Sequence, residues 1–279
     1  MNLKSKIGLG TVQFGLDYGI SNKDGKTSSE EVSRILHYAA KEGLDTIDTA
    51  SAYGDAEKVL GDNCIDGFRI ISKFMPPQQE ETISSQLTRS LSRLKQQNLY
   101  GYLAHRPLDI LQNPFHWKEL EEIRKKGLVK KIGFSLNEPS ELTELLKAGF
   151  TPDLIQIPFN YFDRRFQEQI ISLKAQGCEI HSRSTFLQGL FFVNSNTLHS
   201  FFDEVKPIIK NLQTKIENLS GSLLSFVIEQ PFIDKVILGV ENSAQLKINL
   251  NMLGNDQKLP QLEQKISDNI LMPSGWPKN

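Results

Sequence analysis

Short apolar runs rich in Ile, Val and Phe recur along the chain and alternate with longer stretches whose apolar residues fall three and four apart. The short runs are "KIGLG" from Lys6, "TIDTA" from Thr46, "RIISKF" from Arg69, "LYGYLAH" from Leu99, "KKIGFSL" from Lys130, "LIQIPFN" from Leu154, "EIHSRS" from Glu179 and "KVILGV" from Lys235. Such runs predict strands covered on both faces. The longer stretches predict helices. One is "SEEVSRILHYAAKEG" from Ser29, with Ser28 or Ser29 as N-cap and Gly43 as the stop; others cover 81–96, 115–126, 139–148, 163–176, 220–230 and 243–253. Parallel strands need crossover helices, so eight strand–helix units within about 250 residues predict an α/β fold, a (β/α)8 TIM barrel. An open doubly wound sheet is the alternative. "GLGTVQFG" at 8–15 offers it glycines, but their spacing is not GxGxxG, and "LDYGISNKDG" follows where a helix should begin.

No Gly/Ser/Pro-rich or low-complexity stretch divides the 279 residues, and 39% hydrophobic content can fill one large core. A single barrel domain over 1–279 with a short C-terminal tail is the expectation. The net charge of -1 and pI near 6.5 supply no basic surface for nucleic acid or an anionic membrane. Small-molecule chemistry is favoured instead. Cys64 and Cys178 form no CxxC or metal-spaced pattern, and His37, His105, His116, His181 and His199 show no paired ligand spacing, so no metal is expected. The opening "MNLKSKIGLG" lacks a signal-type apolar run, and no run approaches the about 20 residues that span a bilayer. A cytoplasmic, soluble protein, monomeric or weakly associated, is expected.

In a barrel of this kind the active site forms where strands end, on the C-terminal face. The second strand ends at Asp48, the third holds Lys73 within "IISKF", the fourth ends at His105, and Tyr53 follows on the turn after the second. Each has a structural reading of its own: a turn cap, a snorkelling lysine, a satisfied core histidine, a packed ring. Jointly they point to chemistry. A lysine flanked by Ile70, Ile71 and Phe74 needs a carboxylate, and Asp48 on the neighbouring strand can supply it. A lysine cation beside a phenol favours the phenolate, which lets Tyr53 exchange a proton near neutral pH while His105 orients a carbonyl oxygen. A carbonyl that takes a proton there needs a nucleophile at carbon, and a nicotinamide hydride would serve.

At this point the chain resembles the aldo-keto reductases along nearly its whole length. "GLGTVQFG", "IDTASAYGDAEKVLG", "ISKF", "LAHRP", "IGFSLN", "LIQIPFN" and "LGVENSAQLKINL" occur in that family's order. The resemblance implies reduction of an aldehyde or ketone by NAD(P)H, with Asp48, Tyr53, Lys73 and His105 as the catalytic tetrad. It implies Ser135 and Gln156 at the nicotinamide amide, Thr11 near its ribose, and Ser184, Phe186 and Gln188 from "RSTFLQGL" at the pyrophosphate. Arg183 falls where many members stack an aromatic ring on the nicotinamide, and Asn249 matches an adenine contact. The family's "SN" pair is interrupted by Leu136, which displaces Asn137. Members selective for NADP carry Lys or Arg where Gly239 and Gln245 stand here, with Glu241 nearby, so NAD competes with NADP as the expected cofactor.

The connection "RPLDILQNP" after His105 and the tail "LMPSGWPKN" are short, which predicts an open substrate pocket. Arg106 and Arg183 suggest a polar carbonyl substrate, a sugar or one bearing a carboxylate or phosphate, with aromatic lining from Phe14, Tyr18 and Trp276. Two other classes stay open on sequence alone. One is a Schiff-base lyase with Lys73 as nucleophile, and the other a cofactor-binding regulatory protein without turnover.

Overall fold

The computed structural model describes residues 3–254 and 257–277. Eight parallel strands close into a barrel in chain order: β1 (Ile7–Gly10), β2 (Thr46–Asp48), β3 (Arg69–Phe74), β4 (Leu99–Ala104), β5 (Val129–Ser135), β6 (Leu154–Pro158), β7 (Glu179–Arg183) and β8 (Lys235–Gly239). The predicted strands are all present, and β1 closes the barrel on β8 with Leu9 opposite Leu238 and Gly10 opposite Gly239. The expected TIM barrel is the observed fold.

The outer helices follow the apolar spacing. Ser28 caps Ser29–Lys41 by accepting from Glu31 N, and Val32, Ile35, Leu36 and Ala39 turn to the sheet. Gly43, at φ +80°, ends the helix in a conformation that costs glycine little. Ile83–Leu94 opens on a capping box between Thr82 and Ser85. Phe115–Lys125, Pro139–Lys147 and Ser243–Asn251 lie within the predicted spans, and Leu219–Ile228 begins one residue before the span predicted at 220–230. The span predicted at 163–176 begins later, at Gln167, because Asn160 Oδ1 accepts from Phe162 N and Asp163 N and holds that stretch as a turn.

The β7–β8 connection is the least regular part. It contains the 3-10 turns Leu187–Phe192 and Ser200–Phe202 and the unpredicted helix Lys206–Lys215 before Leu219–Ile228. Together with residues 259–276 it builds a second apolar cluster around Phe191, Leu223 and Trp276, separate from the core between sheet and helices. At the N-terminal mouth, Glu179 accepts from Tyr100 Oη at 2.6 Å, pairs with Lys131 and lies 2.7 Å from His181 Nε2. These bonds tie β4, β5 and β7 together at that end of the barrel.

Candidate active site

The turn after β2 is strapped to β3 before it reaches Tyr53. Thr49 N donates to Ile71 O at 2.8 Å, and Ser51 gives both its N–H and its hydroxyl to Lys73 O at 3.0 Å. Gly15 and Gly54 let the turn after β1 press against it. A Cβ on Gly15 would stand 1.8 Å from Tyr53 O, and one on Gly54, at φ +58°, would stand 2.5 Å from Gly15 O. Backbone contact on both sides therefore fixes Tyr53.

Lys73 is wholly buried, and its ammonium donates to Asp48 Oδ1 at 2.6 Å, Thr49 O at 2.9 Å and Tyr53 Oη at 3.4 Å. All three of its donors are used. Burial pulls its pKa down, but the Asp48 carboxylate and the Tyr53 oxygen outweigh burial and hold the lysine above its ordinary value. Asp48 Oδ2 accepts from Gln156 Nε2 at 2.8 Å. A carboxylate can only accept, so this bond fixes the amide and leaves Gln156 Oε1 buried without a partner among the described residues.

His105 meets Tyr53 edge-on, with ring centroids 5.7 Å apart, and its Nδ1 is buried without a partner among the described residues. Burial first, then the charges of Lys73, Arg183 and Arg106, pushes its pKa down to about 3. The imidazole is therefore neutral at working pH. A group whose folded pKa lies below its unfolded value costs stability as pH falls through that window, here from about 6.5 toward 3. We expect kcat/KM measured from pH 5 to 8 to show no histidine ionisation; an inflection near 6.5 that vanishes in His105→Gln would contradict this.

A cavity of about 800 Å³ opens over these groups at the C-terminal mouth. Asp48, Tyr53, His105 and Arg106 line it with Ser135 and Gln156, which are neighbours in the β5–β6 register. Thr11, Tyr18, Arg183, Ser184, Phe186 and Gln188 form further wall, and Gly239, Gln245 and Asn249 continue it on the β8 side. Lys73 lies beneath this wall. Thr11 is committed, because its hydroxyl donates to Asp48 O at 2.9 Å. Gln188 Nε2 donates to Tyr18 Oη at 2.9 Å, which ties the loop after β7 to the loop after β1.

Two residues predicted to line the pocket do not. Phe14 shares the one-turn helix Val12–Gly15 with Gln13, but Gln13 reaches the cavity while Phe14 is wholly buried in the main core. Trp276 packs edge-on against Phe202 at 5.0 Å and donates to Ile270 O at 3.1 Å. The tail presents Met272 and Ser274 to the cavity instead.

Other details depart from the sequence reading. Arg183 donates to Leu136 O at 2.8 Å and Asn137 Oδ1 at 2.7 Å, so its closest partners are neutral groups of its own chain. Leu136 is buried, yet Asn137 still reaches the cavity wall. Gln13, Glu138 and Glu141 also line the cavity and carried no sequence signal for it. Glu141 Oε2 accepts from Asn137 N at 2.6 Å and Glu138 N at 3.0 Å, which fixes the start of the helix Pro139–Lys147. On the β8 side, Gln245 Nε2 donates to Glu241 Oε2 at 3.0 Å, and Gln245 Oε1 accepts from Glu241 N at 2.9 Å. The cationic side chains among the described lining residues are Arg106 and Arg183, at the ends of β4 and β7.

The sequence model described as "Aldo/keto reductase family" matches residues 6–270. The chain belongs to that family. It is an oxidoreductase of the aldo-keto reductase type. It is 23% identical to the Bacillus subtilis protein named uncharacterized oxidoreductase YqkF, over 94% of this chain and 90% of that one. It is 32% identical to methylglyoxal reductase DkgA of Salmonella typhimurium, over 47% of this chain, and 30% identical to glyoxal reductase of Bacillus subtilis, over 60% of this chain. The matched region covers 50% and 62% of those two reductases. Among solved structures, aldo-keto reductase AKR11C1 from Bacillus halodurans aligns with a TM-score of 0.71 at 19% identity, covering 91% of this chain and 88% of that one. The Pseudomonas aeruginosa protein PA4992 aligns at 0.67 and 23% identity, covering 90% of each chain. At these identities the structural likeness concerns the fold. Among the described residues no helix is long and apolar enough to cross a membrane.

Proposed function

We propose that this oxidoreductase reduces an aldehyde or ketone to an alcohol with NADH or NADPH, Tyr53 giving the proton to the carbonyl oxygen. The observation that carries this reading is the Lys73 ammonium, 3.4 Å from Tyr53 Oη with its other two donors held by Asp48 and Thr49. Placed there, it stabilises the negative charge left on Tyr53 when the proton departs. Neutral His105, beside the phenol, offers an N–H to the carbonyl oxygen and competes with no proton of its own. A bound nicotinamide supplies the hydride. The residues present fit that group: Gln156 Oε1 is a buried acceptor in need of a donor, Ser135 adjoins it, and both lie on the cavity wall. They would hold the carboxamide, while Ser184, Phe186 and Gln188 would face the pyrophosphate and Asn249 the adenine.

Lys73 as a Schiff-base nucleophile fits poorly, since it is charged, wholly buried and absent from the cavity wall. The same reading takes the chain as one barrel domain, cytoplasmic, and monomeric or weakly associated. The names of the relatives make methylglyoxal and glyoxal the first carbonyl compounds to test.

For the nucleotide, NADH is the favoured partner. Glu241 lines the cavity near Gln245, and no lysine or arginine among the described lining residues accompanies it on the β8 side to neutralise a 2'-phosphate. We expect kcat/KM to be greater for NADH by about tenfold or more, the scale of one lost charged contact. A preference for NADPH in parallel assays would reject this assignment without touching the reductase reading.

A further inference from the structure

A second cavity, of about 500 Å³, lies beside the first and is lined by Ser51, Gln78, Glu81, Arg89, Arg93 and Arg106 among others. Arg106, the residue after His105, lines both cavities and so stands between them. Its guanidinium makes no hydrogen bond or ion pair among the described residues. The other two arginines are oriented but not exhausted. Arg89 pairs with Glu81 through Nη2, and Arg93 reaches the buried Glu57 through Nη1 at 3.5 Å. A guanidinium carries five N–H donors in a fixed fork, so one such contact holds the plane in place and leaves most of its donors free. Three positive side chains thus meet two carboxylates, one of them buried behind Arg93. The surplus positive charge faces a cavity with room for a small anion.

We infer that this second cavity is an anion subsite: the distal phosphate or carboxylate of a carbonyl substrate lies between Arg89, Arg93 and Arg106 while its carbonyl sits at Tyr53 and His105. The inference rests on the reductase reading and extends it to a substrate class. Arg183, the other arginine at the catalytic mouth, is not the anchor, because its closest bonds go to Leu136 O and Asn137 Oδ1. A substrate held in this way spans Arg106, with several bonds between its anionic group and its carbonyl carbon. A small neutral dicarbonyl would use the first cavity alone.

The test compares glyceraldehyde 3-phosphate with glyceraldehyde, and succinic semialdehyde with butanal, in wild type, Arg89→Gln and Arg106→Gln. Arg93 is left intact because its partner Glu57 is buried. The expected result is a fall of about tenfold or more in the ratio of anionic to neutral kcat/KM in each variant, as one charge-assisted contact is lost. The pair that responds more strongly identifies phosphate or carboxylate. An unchanged ratio in both variants, with neutral aldehydes still reduced, overturns the subsite and leaves the reductase reading standing. If wild type reduces no aldehyde with either nucleotide, that reading fails, and titration with inorganic phosphate at low salt judges the subsite alone. Saturable binding lost in Arg89→Gln/Arg106→Gln supports it; absent or unaltered binding overturns it.

Discussion

Tyr53→Phe should lower kcat by about 10²- to 10⁴-fold, the range for removing a general acid, with nucleotide affinity changed by less than about threefold. The substitution removes one oxygen. The ring keeps its edge-on contact with His105 and its place 5.0 Å from the Lys73 ammonium, so the turn should stay where it is. Single-turnover mixing of enzyme, NADH and methylglyoxal separates the chemical step from product release and is the measurement to use. Turnover within about tenfold of wild type would mean that another group supplies the proton.

Asp48→Ala should destabilise the protein by about 3–5 kcal/mol, because it leaves the Lys73 charge buried with only Thr49 O and the Tyr53 phenol. The melting temperature should fall by roughly 10 °C, taking about 2–4 °C per kcal/mol for a chain of this class. The loss has a second part, since Gln156 Nε2 also gives up its acceptor. Lys73→Met in the same background removes the orphaned charge, so Asp48→Ala/Lys73→Met should melt above Asp48→Ala alone, with activity expected in neither. A thermal-melt comparison of the two singles and the double reads this coupling directly. Additive losses would show that the pair does not interact as its 2.6 Å contact requires.

The strands were legible because a parallel barrel covers both faces of each one, which forces short, nearly unbroken apolar runs into the sequence. Polar residues at the ends of those runs stood out for the same reason, so Asp48, Lys73 and His105 could be picked as candidates from their places alone. Tyr53 needed one more step, because a turn residue has no periodicity to betray its direction. The structure adds the cause: Gly15 and Gly54 bring two backbones together and aim the phenol.

Direction also explains the misreadings. Gln13 and Phe14 are consecutive on a single helical turn, and nothing in the sequence says which of them faces the cavity. Trp276 is an aromatic residue in a short tail, where a lid and a buried anchor look alike until Phe202 is seen beside it. The helix Lys206–Lys215 escaped because only Ile209 and Leu212 are buried along it, and it packs on the second cluster rather than on the barrel. Arg183 was read as an anion or ring partner, whereas its bonds to Leu136 and Asn137 depend on where β5 ends relative to β7, which no local pattern encodes.

The most direct test of the proposed chemistry follows the hydride itself. NADH carrying deuterium at the transferable position of its nicotinamide is mixed with methylglyoxal and the enzyme, and the product is weighed by mass spectrometry. One deuterium on the former carbonyl carbon, formed by wild type and not by Tyr53→Phe on the same timescale, is the predicted result. Alcohol without deuterium, or no alcohol from any carbonyl compound with either nucleotide, would contradict hydride transfer assisted by Tyr53.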